Sequence, residues 1–211
     1  MTTGPGLRER KKERTRQALI TAALELFQER GYDATTIADI AAGADVSTRT
    51  FFSYFPSKEE ILFADTEDRL QVAFAVIDQR GPDDSPVDVL VRAMAAVFER
   101  ADRFGQLFDR AVPVRLRMVF SVPAVQGMAL QRLLSAQQRL AAHLHAAFPD
   151  RLDRVEASAI VGALIGAVVN TLLALVDSPD QVDELLAGDP ARVLAQLRRA
   201  VDIAVKGIAA A

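Results

Sequence analysis

The chain of 211 residues predicts an all-α protein with two helical domains. Apolar residues recur at helical spacing along most of the sequence, and no segment shows the alternation or the tight turns of a β-hairpin. Residues 36–58 combine helix caps, a short turn and two phenylalanines four positions apart, a pattern typical of a helix-turn-helix. We expect a small N-terminal domain over residues 1–56 and a larger helical domain over residues 57–211, because half of the residues are hydrophobic and can fill a substantial core.

The first helix is predicted from about residue 9 to residue 30, where Gly31 is a typical helix end. Its inward stripe consists of Ile20, Ala23, Leu24 and Phe27. A short second helix begins after Thr36, because a threonine followed three positions later by Asp39 resembles a capping box. Its inward residues are Ile37, Ile40 and Ala41.

The next helix carries the side chains on which a functional interpretation depends. Ser47 is placed to cap it, and Asp45 suits the preceding turn because aspartate tolerates the left-handed conformation better than most residues. Phe51 and Phe55 lie four positions apart, so they share one face and should pack inward. Ser57 and Glu60 predict a further capping box, which would start a long helix to about residue 79.

The side of this helix that faces away from the two phenylalanines is expected to contact DNA, because the second helix of a helix-turn-helix enters the major groove. Thr48, Arg49, Ser53 and Tyr54 present donors there. Arg49 is the candidate for bidentate contact with a guanine edge, worth about 1–3 kcal/mol of discrimination. Tyr54 and Lys58 suit phosphates, which position a protein without specifying sequence. The alternative is an ordinary solvated helix.

The charge distribution favours the same interpretation although the net charge is −3. Residues 1–58 carry nine Lys/Arg and seven Asp/Glu, a net of +2, whereas the remainder carries a net of −5. A basic arm ahead of the first helix can follow the DNA backbone or enter the minor groove. A disordered tail that orders only on DNA, or that merely aids solubility, is the alternative. The arm contains Arg8, Arg10, Lys11, Lys12, Arg14 and Arg16.

Residues of about 15–63 resemble the DNA-binding segment of the TetR family of transcriptional repressors. The matching positions are Thr36, Ile37, Ile40, Ala41, Val46, Ser47, Phe51, Phe52, Tyr54, Phe55, Pro56, Ser57, Lys58, Glu59 and Glu60. The resemblance implies a homodimer whose larger helical domain binds a small effector that releases the DNA. By position, the residues that would face DNA are Thr36, Ser47, Thr48, Arg49, Thr50, Ser53, Tyr54 and Lys58.

The sequence departs from the family pattern at two positions. Asp45 stands where the family usually has glycine, and Phe52 stands where it usually has tyrosine. Because Phe52 lacks the hydroxyl, we expect it to lose a phosphate hydrogen bond and to contact a thymine methyl instead.

The middle of the chain is expected to hold the effector pocket, since bulky apolar side chains line such sites between helices. The same residues would also build an ordinary core. Arg115 and Arg117 either neutralise an acidic, amphipathic ligand or point to solvent, and Pro113 should kink or split its helix. The candidate pocket residues are Phe98, Phe104, Phe108, Arg115, Met118, Phe120 and Met128.

Residues 157–176 form an uncharged run of twenty residues with glycines at 162 and 166. Its length suits a membrane span with a close-packing motif, but the amphipathic final helix and the helix-turn-helix favour a buried dimer interface. Paired with the final helix of each subunit it would form a four-helix bundle. The predicted interface residues are Gly162, Gly166, Val169, Leu173, Leu197 and Val201.

Other chemistry finds little support in the sequence. There are no cysteines, which excludes disulfides and thiolate sites and fits a cytoplasmic protein. His143 and His145 lie two positions apart and point in different directions on a helix, so they predict no metal site. We expect no catalytic residues, no metal and no cofactor. The sequence predicts a ligand-responsive regulator, most simply a repressor, that binds a pseudo-palindromic operator as a homodimer. The alternative is a DNA-binding domain joined to a protein-interaction module without a ligand.

Overall fold

The computed structural model describes residues 6–103, 107–176 and 190–209, and within these ranges it is entirely helices and turns. The predicted all-α class is confirmed. The helices are α1 Leu7–Arg30, α2 Ile37–Gly43, α3 Thr48–Phe52, α4 Lys58–Leu62, α5 Thr66–Asp78, α6 Pro86–Arg103, α7 Leu107–Ser121, α8 Pro123–Ala147, α9 Arg154–Leu175 and α10 Pro190–Ala209.

Two hydrophobic cores organise these helices. The first core is built by α1 to α4, and it also takes in Val114, Met118 and Val125 from α7 and α8. The second core joins α5, α6, α8, α9 and α10 around the fully buried residues Ile77, Leu90 and Leu144. Because α7 and α8 contribute to the first core, the N-terminal helices are packed onto the rest of the chain rather than tethered by one linker.

The prediction of one long helix from residue 57 to residue 79 is wrong, because the helix is interrupted between α4 and α5. The amides of Phe63, Ala64 and Thr66 bond three residues back, which tightens the backbone and ends the α-helical repeat. Arg16 of α1 donates to the Ala64 carbonyl. Asp65, the residue before α5, is buried and ion-paired with Arg69 at 2.6 Å. The expected capping box is also wrong: Ser57 makes no capping bond, and Glu60 pairs with Arg132 instead.

Two residues of α7 that were predicted to line the pocket, Arg115 and Met118, contact the N-terminal helices instead. The helix continues through Pro113, so the proline does not split it. Met118 is buried in the first core, against the N-terminal helices. Arg115 neither points to solvent nor is free to pair with an acidic ligand, because its Nη2 donates to Asp65 Oδ1 at 2.8 Å. Both side chains join α7 to the N-terminal helices, a role that apolar composition alone does not distinguish from a pocket lining.

Two residues of α10 that were predicted to form the dimer interface, Leu197 and Val201, are buried within the single chain instead. Leu197 and Val201 are only 6% and 8% exposed within the single chain. Val201 belongs to the second core, and α10 packs against α9 of its own chain. These two residues therefore fill the interior of one subunit and leave little surface for a partner.

Candidate nucleic-acid interface

The turn that precedes the candidate recognition helix has the predicted geometry. Thr36 Oγ1 accepts from the Asp39 amide at 3.1 Å, and Asp39 Oδ2 accepts from the Thr36 amide at 3.0 Å, which completes the capping box of α2. Asp45 adopts a φ of 54° in the α2–α3 turn. An aspartate therefore occupies the left-handed position where glycine has the lower steric cost, as the sequence predicted.

Helix α3 is fixed by its cap and by its inward side. The Ser47 hydroxyl accepts from the Thr50 amide at 3.1 Å. Phe51 is 0% exposed and Phe55 is 4% exposed, and both belong to the first core. Because a helix of five residues has little intrinsic stability, the burial of these two rings holds its inward side against the first core.

The outward side of α3 carries a mixed surface. Thr48, Arg49 and Ser53 are exposed, and Phe52 is 56% exposed with its ring edge-on to Phe51. Several hydroxyls already make local bonds: Ser53 donates to the Arg49 carbonyl at 3.1 Å, and the Ser47 and Thr50 hydroxyls lie 2.9 Å apart. Arg49 and Phe52 are therefore the long side chains that project from this surface.

Two predicted phosphate contacts lie elsewhere. Tyr54 is half-buried and lines a cleft between the N-terminal helices and α8. Lys58 Nζ donates to the carbonyls of Tyr32 and Thr35, at 2.8 Å and 3.0 Å. Its ammonium is thus engaged inside the protein, which differs from the free donor that the sequence suggested.

The basic arm is helical from Leu7 onward, as a continuation of α1. Its side chains up to residue 14 are exposed. Arg16 differs from the others, because its guanidinium lies 5.8 Å from the Phe55 ring centroid as well as bonding the Ala64 carbonyl. The remaining basic residues form an exposed, positively charged end of α1.

Helix α9 exposes an apolar side in the single chain. Its buried residues are Ala157, Val161 and Leu164, whereas Leu173 on another side is 49% exposed. A Cβ built on Gly162 meets no atom of the described chain within 4 Å. The helix is long and apolar enough to cross a membrane by length and composition, and only 11% of its most apolar stretch is buried in the single chain. Such a surface calls for a partner or a lipid, and the sequence alone allowed both.

The other pocket candidates are scattered. Phe98, Phe120 and Met128 are half-buried on α6, α7 and α8, of which α7 packs against the other two. Phe104 and the Phe108 side chain lie outside the described residues. The two histidines point apart: His143 Nε2 lies 2.9 Å from Asp78, and His145 Nδ1 lies 2.8 Å from the Leu152 carbonyl. No group of metal-ligating side chains occurs in the described part of the chain.

Sequence reasoning missed the ion pairs that connect α8 with α4 and α5. Arg132 pairs with Glu60, and Arg139 pairs with Glu67 through two hydrogen bonds of 2.7 Å and 2.9 Å. The bonds from Arg139, followed by one from Gln71, lower the pKa of Glu67 to about 2. Both arginines and both glutamates are spaced by seven residues, about two helical turns. This matched spacing was the available signal, but it identifies a contact only once the two segments are known to be neighbours.

Comparison with known proteins agrees with this geometry. The family model for bacterial regulatory proteins of the tetR family matches residues 19–64. The chain is 30% identical over 192 residues to the transcriptional regulator BetI of Burkholderia ambifaria, covering 84% of this chain and 97% of BetI. The chain belongs to the TetR family. The relatives to which it is similar are DNA-binding transcriptional regulators rather than enzymes.

Two further relatives show how far the similarity to other TetR-family proteins extends. The regulator TcmR of Streptomyces glaucescens is 38% identical over 141 residues, which cover 65% of this chain but only 62% of TcmR, less than two thirds of its length. The repressor FadR of Thermus thermophilus, whose structure contains lauroyl-CoA, is 22% identical with a TM-score of 0.54, covering 91% of this chain and 94% of FadR. This second similarity shows a shared fold.

Proposed function

We propose that the protein is a ligand-responsive, cytoplasmic repressor that binds a pseudo-palindromic operator as a homodimer. The observation that carries this proposal is α3, a short helix clamped by Phe51 and Phe55 so that Arg49 and Phe52 project outward. Two such helices would enter successive major grooves on one face of the duplex, about 34–36 Å apart.

The proposed contacts divide by chemistry. Arg49 reads a guanine edge and Phe52 contacts a thymine methyl, since these are the side chains that reach beyond the helix surface. The basic end of α1 adds phosphate contacts, which strengthen binding without specifying sequence. The short polar residues that would add further contacts beside them are Thr36, Ser47, Thr48, Thr50 and Ser53.

The proposed dimer forms through the exposed apolar side of α9. Gly162 and Gly166 permit close approach of two helices, and Val169 and Leu173 supply the apolar contact. Leu173 is half-exposed in the single chain, so pairing would remove apolar surface from water. Among the described residues, neither glycine is crowded: a Cβ on Gly166 would meet Asn170 Nδ2 at 4.0 Å, and one on Gly162 would meet nothing within 4 Å.

The proposed effector is a small lipophilic or amphipathic molecule held among α6, α7 and α8, where Phe98, Phe120 and Met128 are half-buried. Its binding would favour a conformation with a different spacing of the two α3 helices. Shifting such an equilibrium from 1:99 to 99:1 requires about 5.5 kcal/mol of differential affinity. A protein partner bound to the same domain, without a small ligand, is the second candidate. The observation that favours it is the exposed apolar side of α9.

In vitro selection of duplex DNA by the purified protein tests the proposal. We expect recovered sequences to share an inverted repeat, and we expect a small-molecule fraction of a cell extract to reduce binding to them. If the protein ignores duplexes of every sequence at low ionic strength, the DNA-binding proposal is wrong. Relief of binding only by the protein fraction of the extract would favour the interaction module over the effector.

A further inference from the structure

Side chains in the first turn of α4 contact the segment between α1 and α2 at several points. Lys58 Nζ donates to the Tyr32 and Thr35 carbonyls and lies 3.8 Å from the centroid of the Tyr32 ring. The next residue, Glu59, accepts a hydrogen bond from the Tyr32 hydroxyl. We call this group, Tyr32, Thr35, Lys58 and Glu59, the Tyr32 clasp.

The clasp brackets the recognition helix in the chain. Tyr32 and Thr35 lie just before α2, Lys58 and Glu59 open α4, and α3 lies between them. Tyr32 and Thr35 are buried, so their carbonyls have little access to solvent. Thr35 is further anchored, because its hydroxyl donates to the Gly31 carbonyl at 2.7 Å. A shift of α4 would therefore pull on the start of α2.

The position of Lys58 supports a role inside the protein. It occupies the first position of α4, where the helix dipole disfavours a positive charge. Two carbonyl acceptors and an aromatic face offset this cost, since each presents negative potential to the ammonium. Burial, and then the bond to Glu59, raise the pKa of Tyr32, which keeps its hydroxyl protonated as a donor.

We propose that Lys58 is a positioning residue for DNA binding, which sets the angle of α3 through the Tyr32 clasp rather than by contacting a phosphate. The inference rests on the proposed DNA-binding function for its consequence, but the clasp itself is a property of the free protein. The two can therefore be tested apart.

The first experiment measures amide exchange in the free, full-length protein. Lys58→Met keeps most of the apolar stem and removes the ammonium. We expect exchange of the Thr35 amide, which bonds the Tyr32 carbonyl at 3.3 Å, to accelerate at least tenfold. Lys12→Met, on the exposed end of α1, is the control and should leave that amide unchanged. Unchanged exchange at residues 35–40 in Lys58→Met would overturn the clasp whether or not the protein binds DNA.

The second experiment measures affinity for the selected duplex as a function of salt. If Lys58 contacts a phosphate, removal of its ammonium should reduce the magnitude of the slope of log K against log salt by about 0.9 per protomer. We expect Lys58→Met to weaken binding about tenfold with the slope unchanged, whereas Lys12→Met reduces the slope. A fall of about 1.8 for the Lys58→Met dimer would identify a phosphate contact and refute the proposal.

Two conservative variants complete the test. An arginine at position 58 would still reach a phosphate, but its planar guanidinium does not fit the compact site between the Tyr32 ring and two carbonyls. We therefore expect Lys58→Arg to restore neither affinity nor slow exchange, and full rescue would contradict the proposal. Tyr32→Phe removes only the bond to Glu59 and should accelerate exchange by a smaller factor. This variant also provides the measurement if Lys58→Met does not fold.

Discussion

Helices α3 and α9 each bury one side and expose another, and the chemistry of the exposed sides differs. Helix α3 exposes hydroxyls, the Arg49 guanidinium and one aromatic ring. Helix α9 exposes alanines, Val155 and Leu173, its two glycines are half-buried, and Asn170 is an exposed polar residue. A duplex offers phosphates and base edges to the first surface, whereas only another apolar surface matches the second.

The contrast shows why burial must be assessed on one chain before a partner is inferred. Sequence patterning alone assigns Leu197 and Val201 to the dimer interface as readily as Leu173. The structure separates them, because the first two are already covered by their own subunit. What remains uncovered on α9 is the narrower surface around Gly162 and Gly166.

The largest expected effect comes from enlarging Gly162. A bulky side chain at a close helix contact costs about 1–3 kcal/mol, and a two-fold interface contains it twice. Gly162→Trp should therefore raise the dimer dissociation constant roughly 30-fold to 20,000-fold. Sedimentation equilibrium measures this directly.

The matched control is Gly127→Trp on α8, because Gly127 is also helical, and its added Cβ meets no described atom within 4 Å. It should leave the dimer intact. A tight dimer in both variants would remove α9 from the interface and leave its apolar side unexplained by self-association.

Removal of the Arg49 side chain should have the next largest effect. If Arg49 reads a guanine, Arg49→Ala costs about 1–3 kcal/mol at one base pair in each half-site. Competition binding against single-base operator variants should show that this base pair no longer matters. The control is Thr48→Ala on the same helix, which should retain the preference. Equal weakening at every sequence would instead make Arg49 a phosphate contact.

The two helices also differ in how fully the sequence predicted them. The caps, the left-handed turn at Asp45 and the inward phenylalanines of α3 depend on neighbours within four residues, and these predictions are confirmed. The break at 63–65 depends on Arg16 and Arg115, which lie about fifty residues away on either side. Met118 was misassigned for the same reason: an apolar residue reveals its burial but not which core receives it.

The charged end of α1 should contribute less than Arg49 to specificity but more to salt dependence. Replacing Lys11 and Lys12 with glutamine removes two exposed charges without altering the helix. Each lost phosphate contact lowers the salt slope by about 0.9. The control is Lys206→Gln on α10, an exposed lysine of the second domain. An unchanged slope in the double variant would mean that the basic end of α1 does not contact the duplex.

The smallest effect concerns a single methyl group. If the exposed Phe52 ring packs on a thymine methyl, replacing that thymine with deoxyuridine removes one apolar group and costs about 0.8 kcal/mol, roughly fourfold in affinity. Wild-type protein should detect the substitution at one position per half-site, and Phe52→Ala should not. Phe52→Tyr is the informative control, because it keeps the ring and adds a donor: it should retain the methyl sensitivity and gain affinity through a phosphate. Equal sensitivity of the alanine variant would assign the methyl contact to another residue of α3, most directly to the Thr48 methyl on the same exposed side.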